Sequence, residues 1–226
     1  MTTRPFSRSV EDYLKTIYEL SATGDPASTS AIAEALEIQP ASVTGMVKRM
    51  AEWGLLEHVP YRGVRLTGPG TREALSIVRR HRILETYLCD RLGYAWDDVH
   101  DEAERLEHAA SDRLIEQMAL ALGFPSHDPH GAPIPSSSGD VEAAVRVTLA
   151  DAEAGERLVI HAVRDEDPAD LRSMAAEGLV PGARVTVDGT TLTDGSVQID
   201  LAGSEGGARS VPAHLARNVY VVPDEK

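Results

Sequence analysis

Histidines and carboxylates recur at helical spacing in two stretches of this 226-residue chain. His100, Glu104, Glu107 and His108 follow one another at intervals of four, three and one. Residues three and four apart share a helix face, so one unbroken helix would line up all four donors. His81 and Glu85 repeat the four-residue interval upstream. Imidazole with carboxylate is a ligand set for divalent metals. Glu104 and Glu107 repel each other on one face unless a cation sits between them. The plain alternative is a solvated helix surface, where such a pair contributes only about 0.2–0.5 kcal/mol.

The elements that must position these donors follow from periodicity. Ser9-Val10-Glu11-Asp12 has the pattern of a helix N-cap, and Val10, Tyr13, Leu14, Ile17 and Leu20 follow at helical spacing. Asp12 has a structural explanation there, since capping and the helix dipole both favour acid in a first turn. A short helix is predicted from about Ser30 to Leu36. After the connection Glu37-Ile38-Gln39, Pro40 opens another that carries Val43, Met46, Val47 and Met50. Leu55–Val59 and Val64–Thr67 flank Tyr61-Arg62-Gly63 as a hairpin. Gly68-Pro69-Gly70 breaks the pattern. Long helices are predicted over about Thr71–Leu92 and Asp97–Leu122. Residues 123–140 read as a Pro/Gly/Ser-rich linker. Short strands follow at Val145–Leu149, Arg157–Arg164, Ala183–Val187, Val197–Leu201 and Asn218–Val222, the pattern of a small β-barrel.

The fold class is therefore mainly α with β. Residues 1–70 form a winged helix-turn-helix, 71–124 a helical domain, 125–149 a linker and 150–226 a barrel. The net charge of −14 is unevenly spread. Residues 1–80 hold 10 Lys and Arg against 9 Asp and Glu, and residues 81–226 hold 12 against 27. The acidity is confined to the later part, so the first third can approach phosphate. The single cysteine, Cys89, excludes an internal disulfide, fits a packing role and suits a cytoplasmic protein. No apolar run reaches the length of a membrane span, and Met1–Ser9 lacks the apolar stretch of a secretory signal.

Helix, tight turn, helix and basic hairpin is the order of a DNA-binding winged helix. Gln39, Pro40, Ala41, Ser42 and Thr44 open the helix that would enter the major groove, with side chains suited to base edges and phosphate. Lys48 and Arg49 would meet the backbone, and Arg62 and Arg65 on the hairpin would reach phosphate or the minor groove. A metal hydrolase needs an open coordination position and a nearby base. The chain has no His-Glu-x-x-His, so an enzyme is not expected. A metal-independent DNA-binding protein is the remaining alternative.

Val10–Leu20, His81-Arg82-Ile83-Leu84-Glu85, Val99–Ala103 with Glu107-His108, and Gly131-Ala132-Pro133-Ile134-Pro135 together resemble the diphtheria toxin repressor family of metal-dependent regulators. The resemblance covers nearly the whole chain. It implies a homodimer on a palindromic double-stranded operator, a dimerisation and metal-binding domain at about 71–122, and an SH3-like C-terminal domain. It implies two metal sites per subunit, an ancillary one of His81, Glu85 and His100 and a primary one of Asp12, Glu104, Glu107 and His108. Asp167 and Asp170 fall near positions where some members supply further ligands.

Iron-type members carry Met at the position of Asp12 and Cys at that of Glu104. Carboxylates at both suit manganese, so Mn(2+) is the expected effector and Fe(2+) the alternative. Manganese-type members carry Glu where this chain has Lys15, so two separate sites are expected rather than a bridged pair. An anion contact made by Asn in other members is not expected at Ala132. The implied function is a manganese-activated repressor of metal-uptake genes.

Overall fold

Where Pro, Gly and small polar residues interrupt the apolar periodicity, the computed structural model places the element boundaries. It describes residues 6–22, 24–164, 167–191, 193–202 and 208–225. The start of the Met1–Ser9 segment lies outside the described residues. The chain divides into two compact units. The first holds residues 1–81, 106–111 and 135–140, and the second holds 82–105, 112–134 and 141–226.

In the first unit, α1 (Arg8–Leu20), α2 (Thr29–Ala35) and α3 (Pro40–Glu52) precede the antiparallel hairpin β1 (Leu56–Val59) and β2 (Gly63–Leu66). Leu14, Ile17, Ile32, Val43, Met50 and Val64 are central to one core. Ser28 caps α2 by accepting from the Ala31 N–H. Glu37, at φ 53, makes the turn into α3. Ala27 exchanges two backbone hydrogen bonds with Val64, both 2.9 Å. A Cβ on Gly63, at φ +120, would stand 2.1 Å from the Ala27 carbonyl oxygen, so only glycine permits that pairing.

Two N-terminal expectations are corrected. Ser7, not Ser9, is the N-cap of α1, so capping does not account for Asp12. The long helix α4 spans Gly68–Leu92. The Gly-Pro-Gly run is thus its first turn, where proline has no donor to lose and the Thr67 hydroxyl accepts from the Gly70 N–H.

The helix expected over 97–122 is two helices, α5 (Val99–Glu107) and α6 (Asp112–Ala121). His108 lies in the turn between them, so the common helix face ends at Glu107. The second unit continues with β3 (Arg157–Val163), α7 (Pro168–Glu177), β4 (Arg184–Thr190), β5 (Val197–Leu201), β6 (Arg209–Val211), α8 (Ala213–Ala216) and β7 (Val219–Pro223). The antiparallel sheet runs β6-β5-β4-β3-β7 over a core that includes Ile160, Leu171, Met174, Val197 and Ile199. Val145–Leu149 is not a strand. Thr148 and Asp151 instead cap a 3-10 turn reciprocally. Helix α7 went unforeseen despite an Asp-Pro start and a left-handed Gly178 at its end.

Part of the expected linker is built structure. Asp128 Oδ1 accepts from the His130 and Ala132 N–H groups, both at 2.9 Å, and Val163 donates to the His130 carbonyl. A Cβ on Gly131, at φ +87, would stand 2.1 Å from the His161 carbonyl oxygen. This close approach fixes the turn on β3.

Candidate metal centre

In the first unit, helix α1 presents Glu11, Asp12 and Lys15, one turn of side chains. Glu107 and His108 come from the end of α5 and the turn after it. Ligand atoms of Asp12, Glu107 and His108 all lie within 4.8 Å of one another. His108 Nε2 is 2.9 Å from Asp12 Oδ1 and 3.3 Å from Glu107 Oε1. Its Nδ1 lies 2.7 Å from Glu11 Oε2, and Arg80 donates to the other oxygen of Glu11 at 3.1 Å. With Nδ1–H donated to Glu11, the Nε2 lone pair faces two carboxylates. That arrangement asks for a cation or a proton between them, and the donor set fits a divalent metal.

The same unit carries fixed positive charge. Lys15 Nζ is 3.2 Å from Glu107 Oε2 and 3.2 Å from His81 Nδ1, and His81 Nδ1 is 2.7 Å from that same oxygen. Burial would raise the Glu107 pKa. The His81 hydrogen bond and the charges of Lys15, His81 and His108 outweigh it and hold the carboxyl below its usual range.

The second unit brings together Glu85 of α4, His100 of α5, and Asp128 and His130 of the turn on β3. Ligand atoms of Glu85, Asp128 and His130 lie within 4.8 Å of one another, and all three residues are buried. His100 Nδ1 is 3.2 Å from Glu85 Oε1, and His130 Nδ1 is 3.9 Å from Glu85 Oε2. His130 Nε2 is 2.8 Å from the Trp96 carbonyl. A proton held there leaves Nδ1 as the ring atom with the lone pair, on the side of Glu85. The His130 ring also stacks on Trp96. Arg82 Nε stands 3.4 Å from Asp128 Oδ2. Two buried carboxylates with an oriented imidazole again form a metal-ligand set. Glu104 Oε1 is 3.9 Å from His100 Nε2. Half-buried Cys89 is pushed up to about 11 by burial and by the charges of Glu85, Asp90 and Asp128, so its thiol is a poor ligand at neutral pH.

Sequence reasoning missed three participants. Glu11 was passed over beside Asp12, although it shares the i, i+4 spacing with Lys15. Asp128 and His130 were assigned to the linker, although His127-Asp128-Pro129-His130 is dense in donors. Asp167 instead caps α7, accepting from the Ala169 N–H at 2.7 Å. Asp170 accepts from Asn218 at 3.3 Å and is 3.8 Å from His214. Among the described residues, neither aspartate belongs to a converging ligand group.

Gln39, Pro40, Ala41, Ser42, Thr44, Lys48 and Arg49 are all exposed along α3 while Val43, Val47 and Met50 face the core. The Gln39 side chain makes no capping bond. Arg62 and Arg65 are exposed on the hairpin, but both are engaged. Arg62 pairs with Asp25 at 2.6 Å, and Arg65 donates to the Gly24 carbonyl at 2.8 Å.

Comparison with known proteins adds to this geometry. Residues 5–64 match the iron dependent repressor N-terminal DNA binding domain, 67–136 the iron dependent repressor metal binding and dimerisation domain, and 147–223 the FeoA domain. The chain is 34% identical over 225 residues to the iron-dependent repressor IdeR of Mycobacterium leprae, covering 94% of this chain and 96% of that one. It is 36% identical to a manganese-dependent transcriptional repressor whose structure was solved with manganese, at a TM-score of 0.87 over 95% of this chain and all of the other. The structure of the manganese regulator SloR is 30% identical at a TM-score of 0.78, covering 95% and 98%.

Proposed function

The chain belongs to the diphtheria toxin repressor family of metal-dependent transcriptional repressors, and from that premise we propose that Mn(2+) is its effector. The observation that carries the reading is the cluster of Asp12, Glu107 and His108 in the same unit as the exposed face of α3. Both ligand groups offer oxygen and nitrogen donors and no sulfur, which suits manganese over softer-ligand metals. Fe(2+) is the second reading, favoured by the likeness to the iron-dependent repressor.

A cation held at the first group supplies the charge that draws Asp12, Glu107 and His108 together. The chain's own residues do the rest. Glu11 and Arg80 hold the His108 ring, and Lys15 offsets part of the acid. Asp12 ties α1 to the segment after α5, which limits the orientations of α3. In a homodimer this sets the spacing of two recognition helices on a palindromic operator. Converting a 1:99 population into 99:1 requires about 5.5 kcal/mol of differential binding. Glu85, His100, Asp128 and His130 form a second site. The protein acts in the cytoplasm, on genes of metal uptake, and carries no catalytic activity. No helix among the described residues is long and apolar enough to cross a membrane.

The test is anisotropy titration of operator duplex, selected by the protein from random sequence. The chelated protein is resupplied with Mn(2+), Fe(2+) under anaerobic conditions, or Zn(2+). Binding restored by Mn(2+) at the lowest free concentration is expected. Restoration by Fe(2+) first would favour the second reading. Binding insensitive to chelation would overturn metal control.

A further inference from the structure

The hairpin carries one residue that the fold itself disfavours. Val59 to Arg62 close a turn through the Arg62 N–H and the Val59 carbonyl at 3.0 Å. Pro60 takes its second position and Tyr61 its third, at φ 63. That is the arrangement of a type II turn, whose third position calls for glycine or asparagine. A bulky aromatic there is an outlier. Tyr61 is fully exposed, at 108%, so the ring gains no burial in return. Strain kept at an exposed tip points to function rather than to folding.

Its surroundings indicate what the ring meets. Tyr61 lines an open groove of about 240 Å³ with His58, Pro60, Thr29 and Thr44. Thr44 belongs to the exposed face of α3, so the groove leads from the recognition helix to the hairpin tip. The hairpin's two arginines are turned back onto Gly24 and Asp25. The tip therefore offers an aromatic ring beside two exposed arginines that are already engaged.

We propose that Tyr61 is a DNA-contacting residue, packing its ring on the sugar wall of the minor groove that flanks the half-site read by α3. This rests on the repressor reading above and adds to it a specific contact. An aromatic ring supplies contact area at low entropic cost and does so without ion release, so the contact carries no salt dependence.

The test compares the full-length, manganese-loaded protein with Tyr61→Asn, which suits left-handed φ, and with Tyr61→Phe, which keeps the ring. Expected for Tyr61→Asn are a loss of affinity of roughly tenfold, an unchanged slope of log affinity against log salt, and a Tm equal to or above that of the parent. Hydroxyl-radical cleavage, which reports on minor-groove sugars, should rise at the flanks in Tyr61→Asn and stay protected in Tyr61→Phe. Parental affinity and footprint in Tyr61→Asn would overturn the proposal, as would a weakened variant whose Tm falls in parallel. Failure of the manganese-loaded parent itself to bind any selected duplex would overturn the repressor reading, and this contact with it.

Discussion

The two ligand groups use the same residue types in opposite settings. The group in the first unit is open on one side, with Asp12 about one-third exposed, and two cationic side chains are built into it: Lys15 on Glu107 and Arg80 on Glu11. The group in the second unit is more enclosed, with His100 its one partly exposed member. Glu85, Asp128 and His130 have side chains at or below 1% exposure, and Arg82 stands 3.4 Å from Asp128 while also donating to the Pro133 carbonyl. Burial of carboxylates is costly unless opposite charge answers it. On the proposed reading a metal would therefore contribute different things at the two places: at the first it would link α1 to the segment after α5, and at the second it would stabilise a buried interior.

The largest expected effect separates these roles. Asp12→Ala should weaken metal-dependent operator binding by roughly a hundredfold or more, while the manganese-induced rise in Tm persists through the second group. Glu85→Ala should do the reverse, abolishing most of the Tm rise. Titration calorimetry, thermal melts and anisotropy on both variants check this; identical phenotypes would dissolve the contrast.

A step smaller is Glu11→Gln. Losing the carboxylate that holds His108 Nδ1–H should lower manganese affinity at the first group by about 10- to 100-fold and leave the second unchanged. The apo protein offers an independent readout, since the nitrogen-15 shifts of His108 should show a mixture of tautomers in the variant. Lys15→Met sharpens the contrast from the other side. With less positive charge beside Glu107, the apo protein should melt lower while the increment on adding manganese grows.

The smallest effect lies in the second unit, away from both groups. Asp151 is held below its ordinary 3.8 by the Thr148 hydroxyl and N–H. A depressed carboxyl pKa adds stability that is full above the ordinary value and fades as pH falls through the folded one. Asp151→Asn should therefore lower Tm by about 1–3 °C at pH 7. Melts of variant and parent should converge in acid.

Much of the fold was legible because periodicity and punctuation agree. Pro40 with Val43, Val47 and Met50 marks α3 and its exposed face without ambiguity. The helix break at 108–111 was not legible, since Ala and Ser there are tolerated inside helices. That break removes His108 from the helix path and turns it toward Asp12. The misreading of Gly68-Pro69-Gly70 has a similar cause: proline and glycine end helices but also fit their first turn.

The sequence by itself determined the inventory, namely the exposed helix face proposed to read DNA and the carboxylates where sulfur would favour a different metal. It also held Asp12, Glu107 and His108 as donors 95 residues or more apart from α1 to the turn after α5. Only the tertiary structure decided how donors are shared out. Glu11 took the back of His108, Lys15 moved onto Glu107, Asp128 and His130 were drawn out of an apparent linker, and the exposed hairpin arginines were engaged by Asp25 and the Gly24 carbonyl beside Tyr61 at the tip. Local spacing records which side chains share a helix face. Which faces meet is set by long-range packing and by the chain's need to answer each buried charge, and that information is spread over the whole sequence rather than written in any one motif.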